Sequence, residues 1–224
     1  MMDLLKKLFG GNNVLQQRRG VALKSALERY PVNAPPHLGW GCDLNDEQIN
    51  ANLAFVLETE QMRIAAISAL LKNFRIDVSP LLNPNIDPLA TCDAIDLWLI
   101  NELPERDDLP GQPSVNSPSD MFIASNRSGP HILFSMIGDL GLLVYNAIRL
   151  HDPRFNWAND LETTTRSTRS SRRPCMIKAR QDDFDSVIFD HELIMLSIVY
   201  EKRTTIPIYK TKDDLEGVML KEFR

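Results

Sequence analysis

Cysteine is scarce in this chain of 224 residues, and the three that it has lie far apart. Cys42, Cys92 and Cys175 form no CxxC pair, and an odd number of widely spaced cysteines is typical of reduced thiols rather than of a disulfide framework. The chain is long enough to bury a substantial apolar core without such a crosslink. We therefore expect a cytoplasmic protein whose fold is held together by its own core.

Basic residues are outnumbered as well: 25 Lys and Arg stand against 30 Asp and Glu, which gives a net charge of −5. Because proteins that bind DNA or RNA usually carry a basic excess, this balance predicts no general affinity for nucleic acid. The deficit is concentrated in residues 77–120, which hold nine acidic residues and a single basic one, Arg106. Such a segment is either a solvated surface or a docking face for a basic protein partner, and the sequence leaves both open.

Long apolar runs are missing too. The sequence has no stretch of 18 apolar residues, so we predict no membrane span. The first residues, MMDLLKKLFGG, contain too short an apolar run for a secretory signal peptide. Both observations favour a location in the cytoplasm.

The common catalytic and metal-binding motifs are absent. The sequence has neither the GxxxxGKS/T pattern that cradles phosphate nor the GxSxG pattern of a nucleophilic serine. His191 and Glu192 begin like the zinc motif HExxH, but Met195 stands where the second histidine is needed. We therefore predict no metal, no cofactor and no catalytic residue. An enzyme would have to assemble an acid-based site from scattered carboxylates, namely Asp93, Asp96, Asp139, Asp190 and Glu192.

Residues 163–174 read TTTRSTRSSRRP, with four arginines among seven hydroxyl residues. Neither apolar periodicity nor an aromatic residue accompanies them, so the segment is predicted to be a solvated connector. Contact with acidic groups, inside the protein or on a partner, is the second interpretation. Phosphate binding by the basic stretch 163–180, in a nucleic-acid-associated accessory protein, is the third.

Apolar residues recur at helical spacing in four segments, which predicts helices over 14–29, 46–74, 89–103 and 131–150. Asn45 and Gln48 form a capping-box pattern at the start of the second helix. The fourth is apolar on most sides, so we expect it to be buried. Gly138 and Gly141 lower the helix propensity of this segment, so we expect another element to pack closely against them. Asp139, in the middle of the same helix, needs a hydrogen bond or an ion pair if it is buried.

The C-terminal region is more mixed. PCMIKAR at 174–180 predicts a short strand, and residues 184–203 fit a helix although their β-branched members favour a strand. We predict a helix over 184–203, then a strand at TTIPIYK and a short helix at DDLEGVMLKEF.

These elements predict a mostly α fold of the α+β class, a single helical domain with a small C-terminal β contribution. Residues 1–40 are predicted to form an N-terminal helical extension and connector, and residues 41–224 the main globular domain. Flexible loops are expected at about 104–118 and 160–174, where proline, or serine with arginine, dominates.

Two segments resemble a known kind of protein. PLATCDAIDLWLINELPER at 88–106 and GDLGLLVYNAIRLHDPRFNW at 138–157 are similar to segments of small bacterial immunity or accessory proteins that are encoded beside toxins. The resemblance implies a non-enzymatic binding protein, an immunity protein that neutralises its toxin by occlusion. It assigns no catalytic residue.

The acidic segment supplies the expected docking face. If the partner is a basic toxin domain, the residues that would meet it belong to the third predicted helix and the loop after it, namely Asp96, Glu102, Glu105, Asp107 and Asp108. The loop members at least are expected to be exposed, because unpaired carboxylates are costly to bury.

Overall fold

The computed structural model describes residues 20–104, 117–161, 170–178 and 187–201. These residues form six α-helices: α1 (Val21–Leu27), α2 (Asp46–Asn73), α3 (Leu89–Glu102), α4 (Pro118–Ala124), α5 (Ile132–His151) and α6 (His191–Glu201). They also form three strands: β1 (Asn156–Asn159), β2 (Pro174–Lys178) and β3 (Val187–Phe189). The predicted fold class, mostly α with a small β contribution, is confirmed.

The long helix α2 begins where the sequence predicts it. The side chain of Asn45 accepts a hydrogen bond from the backbone N–H of Gln48, and the Gln48 side chain accepts one from the backbone N–H of Asn45, so the capping box is confirmed. One stripe of the helix is buried, with members every three or four residues: Ile49, Asn52, Val56, Glu60, Arg63, Ile67 and Leu70. Because some of these are polar or charged, α2 carries polar groups into the core.

Helix α5 forms the centre of the core. Every residue from Leu133 to Ile148 is buried, as the apolar composition predicts. Helix α6 crosses it closely, because a Cβ on Gly141 would lie 2.5 Å from the backbone carbonyl oxygen of His191. By length and composition this stretch could also cross a membrane, but 89% of its most apolar window is buried inside the fold, as in the core helix of a globular protein.

The three strands form one antiparallel sheet in the order β1-β2-β3. Strand β2 confirms the strand predicted at 174–180 as far as residue 178, and residues 179 and 180 lie outside the described residues. The sequence pattern does not predict β1. The single helix predicted over 184–203 is wrong at its start. Strand β3 comes first, and α6 begins only after Asp190. The strand and helix predicted after residue 203 lie outside the described residues.

The first described residues belong to the core and are not separate from it. Leu23 and Leu27 of α1, and Tyr30 after it, are buried in the same apolar cluster as α5. The helix predicted over 14–29 is described only from residue 20 onward. Helix α4 is a further element that the sequence pattern does not predict, although Ser117 and Asp120 form a second capping box at its start.

Candidate functional site

Six charged side chains lie together in the interior, and we call them the central charge cluster: Arg63, Arg127, Asp139, Arg173, Asp190 and Glu192. Each of these side chains is at most 9% exposed. Helices α2 and α5, the start of α6 and two loops contribute them, so the cluster joins parts of the chain that are far apart in sequence. Three positive and three negative groups balance, which limits the cost of burying charge.

Glu192 is the hub of this cluster. Arg127 donates to both of its carboxylate oxygens, with Nη1 at 2.7 Å and Nη2 at 2.8 Å. Arg173 Nη2 donates at 3.0 Å, and Arg63 Nη2 lies 3.4 Å away. Although burial opposes ionisation, these guanidinium groups hold the pKa of Glu192 well below its ordinary value. Glu192 is therefore a carboxylate whose acceptor sites are filled.

Asp139 lies in the middle of α5 and is fully buried. Arg63 Nε donates to it at 2.6 Å, the Tyr30 hydroxyl at 2.9 Å and the Asn33 amide at 2.6 Å. Burial raises the pKa of Asp139 despite these three donors. Burial also raises the pKa of Tyr30, so its hydroxyl keeps the proton that it donates. The predicted partner for Asp139 is confirmed, and it is Arg63.

Asp190 links the cluster to the start of α6. One carboxylate oxygen accepts from Arg173 Nε at 2.6 Å, and the other accepts from the backbone N–H of Leu193 at 3.0 Å. The second contact is that of a helix N-cap, where an acidic side chain satisfies a free backbone donor. Asp190 therefore fixes both the beginning of α6 and the position of the loop that carries Arg173.

The loop that ends in Arg173 contradicts its sequence interpretation. Arg172 donates to the carbonyl oxygens of Gly41 and Leu44, at 3.1 and 3.0 Å, and to Asp46 at 2.7 Å. A Cβ on Gly41 would overlap the carbonyl oxygen of Ser171, so the backbone at Gly41 and the backbone of this loop are in direct contact. A solvated, flexible connector is thus wrong for residues 170–174, while 162–169 lie outside the described residues. Contact with internal acidic groups, the second interpretation, describes these arginines.

A narrow cleft leads to the cluster and contains His191. The cleft has a volume of about 20 Å³, room for one water molecule and not for an organic substrate. His191 is 1% exposed, and burial lowers its pKa to about 4, so the ring is neutral at pH 7. Among the described residues, no protein group hydrogen-bonds to either ring nitrogen. The same residues contain no group of three His, Cys, Asp or Glu side chains placed to hold a metal ion.

The residues predicted to bind a partner lie elsewhere, on and after α3. Asp96 is only 8% exposed, because it shares the inward side of α3 with Ile95 and Leu99. The prediction that Asp96 contributes to a docking face is therefore corrected. Glu102 is half-buried at the end of the helix. Glu105, Asp107 and Asp108 lie outside the described residues.

The outward face of α3 consists of Ala90, Asp93, Leu97 and Asn101, which recur every three or four residues and are all exposed. Leu97 is 60% exposed, a high value for a large apolar side chain. Asp87, just before the helix, is exposed as well, and its carboxylate accepts from the backbone N–H of Leu89. The chain from residue 77 to residue 104 contains no Lys or Arg. The face thus presents one exposed leucine beside the carboxylate of Asp93, with that of Asp87 just before the helix.

The sequence reasoning missed Arg63, Arg127 and Arg173 as members of a cluster. For Arg63 a signal was present: it occupies a buried position in the apolar stripe of α2, four residues before Ile67. Arg127 and Arg173 follow no such pattern.

Comparisons of the chain with protein-family models, with curated proteins and with solved structures found no match. The function is therefore argued from the geometry of these two regions.

Proposed function

We propose that this protein is a non-enzymatic binding protein, an immunity protein that neutralises a basic toxin domain by covering it. The observation that carries the proposal is the outward face of α3, where Leu97 is 60% exposed beside Asp93 in a stretch without basic residues. An exposed apolar residue within an acidic surface is the arrangement expected where a basic protein docks.

The state of the buried carboxylates supports this proposal over an enzyme. Three of the five acids from which a catalytic site would have to be built, Asp139, Asp190 and Glu192, are each paired with an arginine and sealed from solvent. A general acid or base has to reach its substrate within hydrogen-bonding distance. The cleft beside them admits no more than a water molecule.

The arginines of the 170–173 loop support it over a nucleic-acid accessory protein. Arg172 and Arg173 donate hydrogen bonds to carbonyl and carboxylate groups within the protein. Phosphate binding needs cations that are free to face the nucleic acid. These two are not.

Each part of the α3 face would contribute differently to binding. Acidic groups attract a basic partner over a distance of about 8 Å at physiological salt and so raise the association rate. Leu97 would lose its remaining contact with water, which favours the complex by about 1–2 kcal/mol. Reversing the charge should thus slow association, and removing the apolar contact should speed dissociation.

The test is the variant Asp93→Lys/Leu97→Lys, with partners captured from lysate of the native cell and binding kinetics then measured for the purified pair. We expect association at low salt to slow about tenfold and dissociation to accelerate. The matched control is Val21→Lys/Glu28→Lys, which also replaces one exposed apolar and one exposed acidic residue by lysine, at the first residue of α1 and at the residue just after its end. If both variants bind as the wild type does, the α3 face is not the docking face.

A further inference from the structure

The narrow cleft that contains His191 is lined by residues with unused hydrogen-bonding atoms. His191 and Arg127 both line the cleft, and each is only 1% exposed. Both ring nitrogens of His191 and the Nε atom of Arg127 lack a hydrogen-bond partner among the described residues. A buried donor or acceptor costs free energy unless another group replaces the water that it has lost. These atoms therefore need a further hydrogen-bonding group in the interior.

The neighbouring side chains leave the cleft as the place for that group. The indole ring of Trp157 packs edge-on against the imidazole of His191, with the ring centroids 4.9 Å apart. The ring of Tyr145 makes a similar contact at 6.4 Å. These contacts between rings cover the imidazole without supplying a hydrogen bond, so its polar atoms are served from the cleft or not at all.

We propose that the cleft is a binding site for one water molecule, which accepts a hydrogen bond from Nε of Arg127 and donates one to the unprotonated ring nitrogen of His191. The volume of about 20 Å³ fits one water molecule. In so small a space the water has little freedom of position and contacts the residues that line it. The cleft is also polar, which is the second condition that a buried water requires.

The hydrogen-bonding roles of the two residues match those of water. Nη1 and Nη2 of Arg127 already donate to Glu192, and Nη1 also to the carbonyl oxygen of Asn33, which leaves Nε as a donor. His191 is neutral at pH 7, because burial lowers its pKa to about 4, and a neutral imidazole carries one acceptor nitrogen. Water both accepts and donates. A halide ion only accepts and a metal cation does neither, so water is the ligand that fits both neighbours.

The connector before α2 forms the mouth of the cleft. Its residues Pro35, His37 and Gly39 line the cleft and are half-buried. The backbone N–H of His37 donates to the Asn52 side chain at 3.0 Å, and the Asn52 amide donates to the His37 carbonyl oxygen at 2.9 Å. These two bonds tie the connector to the buried stripe of α2. We therefore expect the water to exchange with solvent more slowly than surface water does.

The first experiment is oxygen-17 magnetic relaxation dispersion of the full chain, which counts the water molecules that stay bound longer than those of the surface. His191→Phe should hold one such water fewer than the wild type, because a phenyl ring accepts no hydrogen bond of this kind. The matched control is His131→Phe, since His131 bonds to Ser125 and does not line the cleft. Equal counts for the wild type and His191→Phe, or the loss of a water from the control as well, would overturn the proposal.

A second measurement uses the wild type alone and so does not depend on how a variant folds. At pH 7 the carbon-bound ring protons of His191 should show a nuclear Overhauser contact with water, and its sign should be that of a long-lived water. The half-buried His131 gives the reference for contact with rapidly exchanging water. A His191 ring without a contact to water, or with the same short-lived contact as His131, would contradict the site. Neither result depends on the proposed docking face of α3.

Discussion

At the scale of single residues, the interior is organised by matched charges and not by apolar packing alone. Each carboxylate of the central charge cluster accepts hydrogen bonds from at least two donors. Gly138 makes this possible, because a Cβ there would lie 2.9 Å from Arg127 Nη1 and 3.0 Å from Glu192 Oε1. Arg127 and Glu192 can thus lie against α5 because position 138 carries no side chain.

His191 should make the stability of the fold depend on pH. Its pKa is about 4 in the folded protein, against about 6.5 in an unfolded chain. The unfolded state therefore binds more protons between these values, so the stabilisation is complete above pH 6.5 and is lost as the pH falls toward 4. We expect the wild type to lose about 3 kcal/mol relative to His191→Phe over this window, measured by urea unfolding.

The comparison with His191→Phe is needed because other titratable groups face the same cleft. Glu192 and Asp190 flank the ring on its own segment, Arg63 faces it from α2 and Arg173 from the preceding loop. Asp139, whose pKa is raised, contributes with the opposite sign, since its stabilisation is lost as the pH rises through its folded pKa. Parallel pH curves for the two proteins would contradict the assignment to His191.

At the scale of elements, α5 and α6 cross with their backbones in contact. A methyl group on Gly141 would meet the backbone of His191, which cannot move without displacing Asp190 and Glu192. The carbonyl oxygen of His191 lies 2.5 Å from the position that this Cβ would take, which is shorter than a van der Waals contact.

Gly141→Ala should therefore destabilise the fold by about 1–3 kcal/mol, although alanine is the better helix former. Thermal or urea unfolding measures this. The control is Ala69→Gly at an exposed position of α2. This reverse substitution measures helix propensity alone, and we expect it to lower the free energy of unfolding by about 1 kcal/mol. A Gly141→Ala variant as stable as the wild type would mean that the two helices are not in backbone contact.

At the scale of the whole molecule, the sequence predicts the elements whose apolar residues are periodic. Helices α2, α3 and α5 follow from their spacing, and the start of α2 follows from its capping box. The segment 184–203 could not be divided by periodicity, because its apolar residues suit either a strand or a helix. The break falls at Asp190, and a capping aspartate is the signal that divides β3 from α6.

The central charge cluster could not be predicted in the same way. Glu192 lies 129 residues from Arg63 and 65 from Arg127, and no local pattern connects positions so far apart. Composition indicates only that a buried acid such as Asp139 needs a partner, and not which arginine supplies it. At residues 170–174 the polar composition predicts a solvent-exposed loop. The tertiary fold instead places carboxylates against the arginines of this segment.

The central claim is that this cluster holds the fold together and leaves function to the outer surface. The measurement that tests it most directly is the unfolding free energy of Glu192→Gln, with the exposed Glu58→Gln as the matched control. Loss of the charge leaves three buried arginines with two carboxylates, so we expect a loss of about 3–5 kcal/mol, against less than about 0.5 kcal/mol for the control. A Glu192→Gln variant as stable as the wild type, or more stable, would contradict the claim, because that is the behaviour of a carboxylate kept for chemistry at a cost in stability.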